Sequence, residues 1–240
     1  MKEEYHKWNS LQNSREFEML VFGQEGYPLI LFPTSNGRYY QNKDFGLIAA
    51  ISHFIENGIV KVYCPDSMDE QSWYNYSIHP ADRVKTHNAY ENLILEDVIE
   101  FAKYETKKNK VALCGCSFGG YHSVNLGLRH PDKVSHIFSL GGTFDIKPFI
   151  NGYYDDNCYF NSPFDFLPGL QDEWYLSRIR DMKIVLGTGD WDICLGDNLH
   201  LSNLLKEKGI EPWLDVRSNS GHDWPWWKEM LPHYLSVHFQ

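Results

Sequence analysis

The segment Val111-Ala112-Leu113-Cys114-Gly115-Cys116-Ser117-Phe118-Gly119-Gly120 decides how the chain can fold. It opens as a short apolar run, the length of a buried strand, and an apolar pattern at helical spacing follows it directly. Between the two stands Gly115-x-Ser117-x-Gly119. A turn tight enough to lift one side chain above the end of a sheet leaves no room for Cβ atoms at these glycines. The segment therefore predicts a strand–turn–helix unit, a nucleophile elbow, with Ser117 at the N-terminus of its helix.

Strands and helices alternate along the rest of the chain. Apolar strand patterns occur at residues 29–32, 59–64, 134–140, 183–186 and 212–216, and helical patterns lie between them. Such alternation predicts an α/β fold with a mainly parallel central sheet and helices on both faces. Ahead of these strands, residues 16–22 and a turn at 24–28 predict an antiparallel hairpin. The length of 240 residues fits a single domain over residues 1–240.

Two segments lack a regular period. Residues 65–87 are rich in Asp, Ser, Trp and Tyr and predict a long loop, and loops of this length in a compact domain are more often functional than idle. Residues 141–181 are irregular and rich in Phe and Tyr. The second segment predicts a small aromatic lid or pocket wall.

Composition excludes several classes of protein. The formal net charge of −10 and the lack of a long basic run disfavour binding to nucleic acid. No stretch approaches the roughly 20 apolar residues of a membrane span, so we expect no membrane insertion and a soluble, cytoplasmic protein. The five cysteines are scattered and odd in number, which argues against a disulfide framework and favours buried thiols over a zinc site.

A serine nucleophile needs a base within hydrogen-bond reach, and the base needs a carboxylate that orients it. The carboxyl ends of sheet strands are where open α/β sheets build such sites. The strand pattern at 183–186 is followed by Gly187-Thr188-Gly189-Asp190-Trp191-Asp192, and the last strand is followed by Ser220-Gly221-His222-Asp223-Trp224. The positions predict Ser117 as nucleophile, His222 as base and Asp190 as acid.

The acid has alternatives close by. Asp192 lies two residues further along the same predicted loop, where a solvated loop residue is the other reading. Asp197 is suited to be the N-cap of the next helix, and Asp145 follows the preceding strand. Asp190 is favoured only because it comes first in its loop.

An acyl-transfer site also needs donors for a developing oxyanion. The backbone N–H of Phe118, directly after the nucleophile, is one predicted donor. The second should come from the loop Pro33-Thr34-Ser35-Asn36-Gly37-Arg38; proline has no N–H, so Ser35 is the candidate. An ordinary glycine-containing turn is the other reading of this loop.

With these motifs in hand, the chain resembles the α/β-hydrolase superfamily, in which the three residues occur in the same order as Ser117, Asp190 and His222. More closely it is similar to the putative-esterase branch, which includes S-formylglutathione hydrolases, siderophore esterases and mycolyltransferases. Segments 32–38 and 222–227 carry this similarity, which extends over nearly the whole chain from Glu16. The resemblance implies the same catalytic and oxyanion residues. The chain departs from the family where a glycine usually opens the oxyanion loop, near Thr34 and Ser35.

The sequence therefore predicts a serine hydrolase of the carboxylesterase type that cleaves a small ester through an acyl-enzyme and needs no metal or organic cofactor. Two alternatives stay open. One is an acyltransferase that uses the same residues, and the other is a non-catalytic binding protein of the same fold. A homodimer that uses the aromatic segment as its interface is a further open alternative.

Overall fold

The computed structural model describes residues 1–11 and 15–239. These residues form an eight-stranded sheet in the order β1-β2-β4-β3-β5-β6-β7-β8. The strands are β1 (Glu3–Ser10), β2 (Arg15–Phe22), β3 (Tyr27–Phe32), β4 (Val60–Pro65), β5 (Val111–Cys116), β6 (Val134–Leu140), β7 (Lys183–Trp191) and β8 (Trp213–Gly221). β1 and β2 pair antiparallel, as do β2 and β4, and the other neighbours pair parallel. The predicted mainly parallel α/β architecture is confirmed.

Helices cover both faces of this sheet. They are α1 (Gln41–Asp44), α2 (Leu47–Ala50), α3 (Ser52–Glu56), α4 (Pro80–Leu93), a π-helical segment (Ile94–Ile99), α5 (Glu100–Thr106), α6 (Phe118–Arg129), α7 (Lys147–Ile150), α8 (Asp156–Phe160), α9 (Pro163–Gly169), α10 (Glu173–Asp181), α11 (Leu195–Glu207) and α12 (Trp224–His238). In the part of the chain described, no helix is both long and apolar enough to cross a membrane.

Strand β5, which carries the elbow, is buried on both faces. Val111 and Leu113 point into one apolar cluster, and Ala112 and Cys114 point into the other. Side chains alternate between the faces of a strand, so the continuous apolar run of β5 is what a strand covered by helices on both sides requires. β5 lies between β3 and β6, which places the end of the elbow strand in the middle of the sheet edge.

The antiparallel hairpin predicted for residues 16–22 and the strand that follows them does not form between β2 and β3. β2 pairs with β1 and β4, whereas β3 lies between β4 and β5. The strand β1 was missed because seven of its eight residues alternate between exposed and half-buried positions, which gives only a weak apolar signal. The residues between β2 and β3 therefore form a crossover and not a hairpin turn.

The segment 141–181 contains four helices of four to nine residues, α7 to α10, where the sequence predicted irregular structure. Side chains of Asp155 and Asp172 accept hydrogen bonds from backbone N–H groups at two of the helix starts. Helices this short carry too few turns to show a helical period, which is why the pattern is not visible in the sequence. The segment packs against α4, α6 and α11.

Candidate active site

The elbow holds Ser117 in a strained conformation. Its φ of 55° and ψ of −119° lie outside the regions that a non-glycine residue normally occupies. A Cβ on Gly119 would lie 2.5 Å from the carbonyl oxygen of Pro33, so only glycine lets α6 approach the end of β3. The Ser117 N–H donates to the Leu140 carbonyl at 2.9 Å, which ties the turn to β6. Packing on both sides therefore maintains the strain.

Three side chains form a hydrogen-bonded chain at this turn. Ser117 Oγ lies 2.9 Å from His222 Nε2, and His222 Nδ1 lies 2.8 Å from Asp192 Oδ1. The His222 side chain is 17% exposed and the Asp192 side chain 1%. A hydroxyl, an imidazole and a carboxylate connected in this order can activate a serine hydroxyl.

The carboxylate that contacts His222 in the structure is that of Asp192 and not that of Asp190. Strand β7 continues to Trp191 instead of ending near Leu186, so Asp190 lies within the strand and is exposed. Its Oδ1 accepts a long 3.4 Å hydrogen bond from the Ser220 N–H on β8. Asp192 is the first residue beyond the strand, and that position lets its carboxylate reach His222, itself the first residue beyond β8.

The other two candidate carboxylates, those of Asp197 and Asp145, accept hydrogen bonds from the segment that follows β6. Asp197 Oδ2 accepts hydrogen bonds from the Phe144 N–H at 2.8 Å and from the Thr143 hydroxyl at 3.1 Å. Asp197 is not the N-cap of its helix, because α11 begins at Leu195. Asp145 accepts from the Lys147 N–H at 2.9 Å. Both fix the chain where it leaves β6.

Gly141 leaves room for the acid and the base. Its φ is +59°, and a Cβ there would lie 2.6 Å from Asp192 Oδ2 and 3.1 Å from His222 Nδ1. The indole of Trp227 packs edge-on against the imidazole at 5.1 Å between ring centroids. Both Asp192 Oδ2 and Trp227 Nε1 are buried without a hydrogen-bond partner in the described residues.

Asp192, Cys194 and His222 place possible metal-ligand atoms within 4.8 Å of one another. Burial, with the nearby Asp192 carboxylate as a smaller cause, raises the pKa of the Cys194 thiol to about 12. A bound metal ion would itself favour the thiolate, so the hydrogen bonds of the site decide between the two kinds of site. Both ring nitrogens of His222 already face hydrogen-bond partners. The donor set fits a proton-transfer site better than a metal centre.

The loop between β3 and α1 lies against the elbow. Four of its backbone N–H groups donate to acceptors inside the protein: Thr34 to Gln41, Asn36 to Asp69, Gly37 to Thr34 and Tyr39 to Asp66. No acceptor in the described residues is assigned to the Ser35 N–H, nor to that of Phe118 at the start of α6. Both predicted oxyanion donors are thus available for a ligand.

Aromatic rings cover one side of the elbow. Tyr74 and Phe149 both pack on Phe118, with ring centroids 5.3 Å away in each case, and they lie 4.9 Å from each other. The Tyr74 hydroxyl donates to Ser35 Oγ at 2.8 Å. Tyr74 comes from the predicted long loop after β4 and Phe149 from the predicted lid, so both segments contribute to this wall.

Sequence reasoning did not single out Asp69 or His122. Their side chains are 1% and 3% exposed, and Asp69 Oδ1 lies 2.9 Å from His122 Nε2. The available signal was the position of His122, one and a half turns after Ser117 on the predicted elbow helix. Nothing in the sequence marks Asp69 as its partner.

Comparison with known proteins identifies the fold. A family model described as the alpha/beta hydrolase fold matches residues 62–177. An acetyl esterase from Caldicellulosiruptor saccharolyticus is 24% identical over 193 residues, which cover 72% of this chain and 69% of that protein.

Solved structures extend the similarity to the whole chain. A ferulic acid esterase superimposes with a TM-score of 0.79 at 16% identity, covering 98% of this chain and 96% of that one. An S-formylglutathione hydrolase from Agrobacterium tumefaciens gives a TM-score of 0.73 at 13% identity, with 98% and 94% covered. The chain has the α/β-hydrolase fold, and its relatives and structural neighbours fit the esterase branch of that superfamily.

Proposed function

We propose that the protein is a serine esterase that cleaves small esters through an acyl-enzyme, with Ser117 as nucleophile, His222 as general base and Asp192 as the acid that orients the base. The observation that carries the proposal is the continuous hydrogen-bonded chain from Ser117 Oγ through the imidazole to Asp192 at 2.9 and 2.8 Å. The acetyl esterase relative and the esterase neighbours support ester hydrolysis.

In the acylation step, His222 Nε2 accepts the Ser117 proton as Oγ attacks the ester carbonyl. Asp192 keeps the other proton on Nδ1 and stabilises the imidazolium that forms. The imidazolium then protonates the alcohol as it leaves. A water molecule next attacks the acyl-enzyme with His222 again as base, which releases the acid and restores Ser117.

The oxyanion of each tetrahedral intermediate would be bound by the N–H groups of Phe118 and Ser35. The backbone hydrogen bonds support this choice. These two N–H groups lack an acceptor in the described residues, whereas the N–H groups of Thr34 and Asn36 already donate to side chains of the protein. Phe118 also begins α6, so the helix dipole favours negative charge at that point.

Residues 1–240 would form one domain in which the segment 141–181 supplies a wall of the substrate site. Phe149 of this segment packs on the residue next to the nucleophile and on Tyr74. An apolar or aromatic acyl or alcohol group would contact these rings, since flat apolar surfaces bind such groups well.

The test is hydrolysis of p-nitrophenyl acetate by the purified protein and by Ser117→Ala, together with fluorophosphonate labelling followed by intact mass. Loss of the nucleophile lowers turnover by up to about 10⁶ when the three residues act as a unit. We expect turnover and one probe adduct in the wild type and neither in the variant. A folded wild-type protein without an adduct would refute the nucleophile assignment and favour the binding-protein alternative. Product analysis with added alcohols distinguishes hydrolysis from acyl transfer.

A further inference from the structure

A second buried carboxylate–imidazole pair lies beside the triad. Asp69, in the loop after β4, and His122, on α6, are 1% and 3% exposed and meet at 2.9 Å. A carboxylate only accepts hydrogen bonds, so His122 Nε2–H donates to Asp69 Oδ1. The proposed acyl transfer does not use this pair.

The other oxygen of the same carboxylate holds the oxyanion loop. Asp69 Oδ2 accepts from the Asn36 N–H at 3.0 Å, and Asn36 has a positive φ of 55°. A left-handed conformation at a non-glycine residue persists only where neighbouring contacts fix it. Asn36 directly follows Ser35, so the Asp69 contact sets the orientation of the peptide next to the proposed donor.

His122 belongs to the same helix as the first oxyanion donor. α6 begins at Phe118 and continues through His122, so the two residues move as one rigid element. The His122 ring is packed against Phe118 and Phe32 at 5.1 and 5.7 Å between centroids. A single buried carboxylate thus connects the helix that carries one donor to the loop that carries the other.

We propose that Asp69 and His122 are positioning residues that fix the Ser35 N–H relative to the Phe118 N–H and so set the geometry of the oxyanion hole. This inference rests on the proposed esterase function. A buried carboxylate–imidazole hydrogen bond is weak evidence for added stability, because the desolvation of the carboxylate offsets much of the attraction. A displacement of about 1 Å in a catalytic group can lower the rate by about 10². The pair can therefore have a large effect on the rate by placing an oxyanion donor precisely, without adding to the stability of the fold.

The central experiment compares Asp69→Ala with Asp69→Asn. Alanine removes both acceptors, and we expect kcat to fall by about 10² with KM changed less than about threefold, since an oxyanion donor acts mainly in the transition state. Asparagine keeps an acceptor for the Asn36 N–H and offers its amide N–H to His122 Nε2 in the other imidazole tautomer. We expect Asp69→Asn to recover most of kcat. A purely structural role would lower the amount of folded protein and leave kcat per folded molecule unchanged.

The matched control is Glu91→Ala. Glu91 is a carboxylate 4% exposed that pairs with His130 at 3.0 Å and with Arg129, at the far end of α6. Its removal also breaks an acid–histidine pair with a buried carboxylate, but Glu91 makes no contact with the oxyanion loop among the described residues. We expect a lower melting temperature and a kcat within about threefold of wild type. An equal fall in kcat in Glu91→Ala and Asp69→Ala would overturn the proposal, as would an unchanged kcat in Asp69→Ala.

A second measurement tests this inference independently of the esterase proposal. It also applies if the Asp69→Ala protein does not fold, because it does not use that variant. Amide hydrogen exchange at Asn36 is compared between wild type, Asp69→Asn and His122→Asn. Faster exchange at Asn36 in His122→Asn, with slow exchange kept in Asp69→Asn, supports the positioning role. Unchanged exchange at Asn36 in His122→Asn refutes it. Absence of any probe adduct on wild-type Ser117 would instead refute the esterase proposal itself.

Discussion

Replacing Asp192 by asparagine tests the carboxylate that the sequence offered only as an alternative to Asp190. Asp192 Oδ1 lies 2.8 Å from His222 Nδ1 and also accepts from the Cys194 N–H at 2.8 Å. Asparagine has almost the same shape, and it keeps both contacts only if its amide oxygen takes the place of Oδ1. If its amide turns toward Nδ1, the imidazole is held in the tautomer that cannot accept the Ser117 proton. If it turns the other way, its NH₂ is buried without an acceptor in the described residues, where Asp192 Oδ2 stood, and the imidazolium loses its counter-charge.

The magnitude follows from the distance. Two unit charges 2.8 Å apart attract by about 6 kcal/mol at an effective dielectric constant of about 20. A loss of about 6 kcal/mol from the transition state corresponds to a rate decrease of about 10⁴, since about 1.4 kcal/mol is a factor of ten. The tautomer argument gives the same order, because an Asp-to-Asn change in a serine triad lowers kcat by about 10⁴.

The assay is kcat/KM for p-nitrophenyl acetate, with Asp190→Asn as the control variant. Asp190 is two residues away and exposed, and among the described residues its side chain has one assigned hydrogen bond, the 3.4 Å bond from the Ser220 N–H, so we expect a change of less than about threefold. Circular dichroism and melting temperature verify that both variants fold. Near wild-type activity in Asp192→Asn, or a large loss in Asp190→Asn, would refute the assignment of the acid.

Two further predictions follow from the structure. Gly141→Ala places a Cβ against Asp192 and should lower kcat/KM by more than tenfold. The control is Gly152→Ala, because Gly152 has a similar positive φ but no atom lies within 4 Å of a Cβ placed there. This variant should lose only the ~1–2 kcal/mol of stability that a left-handed alanine costs. A comparable activity loss in both variants would contradict the steric argument. Burial, with smaller contributions from His238 and Lys183, lowers the pKa of His136 from its ordinary 6.5 to about 4. Between pH 6.5 and pH 4, His136 is protonated in the unfolded chain but stays neutral in the folded chain. The free energy of unfolding therefore falls as the pH is lowered through this range, by about 2 kcal/mol at pH 5. Urea unfolding of wild type and His136→Gln at pH 7 and pH 5 measures this, and an equal acid loss in the two proteins would exclude His136 as its source.

The elbow and the base could be predicted because local chemistry restricts them. Gly115 and Gly119 flank Ser117 for a steric reason that any such turn shares, and an apolar run buried on both faces is visible in the sequence. His222 follows a strand in a region with few other titratable groups that could reach Ser117. The strand order, which only the structure gives, then brings the two together.

The contacts of His222 with Asp192 and of His122 with Asp69 could not be predicted, because both depend on where chain segments end or meet. The glycines at 187 and 189 suggested that β7 had ended, yet pairing with β8 extends the strand to Trp191. That extension moves Asp190 into the strand and Asp192 to its end. Asp69 and His122 are 53 residues apart in sequence, and no local pattern indicates that they meet.

The position of β8 at the outside of the sheet has a consequence for heat tolerance. Ser117 follows β5, which has a strand on each side, but His222 follows β8, which pairs with β7 alone among the described strands. Ser218 and Asn219 are exposed just before the base. Elements with a single neighbour and solvent-exposed backbone open at a lower free energy than the interior of a sheet. On heating, local opening of β8 should therefore separate His222 from Ser117 before the core of the protein unfolds. Activity should then decrease while the core is still folded, and it should recover on cooling.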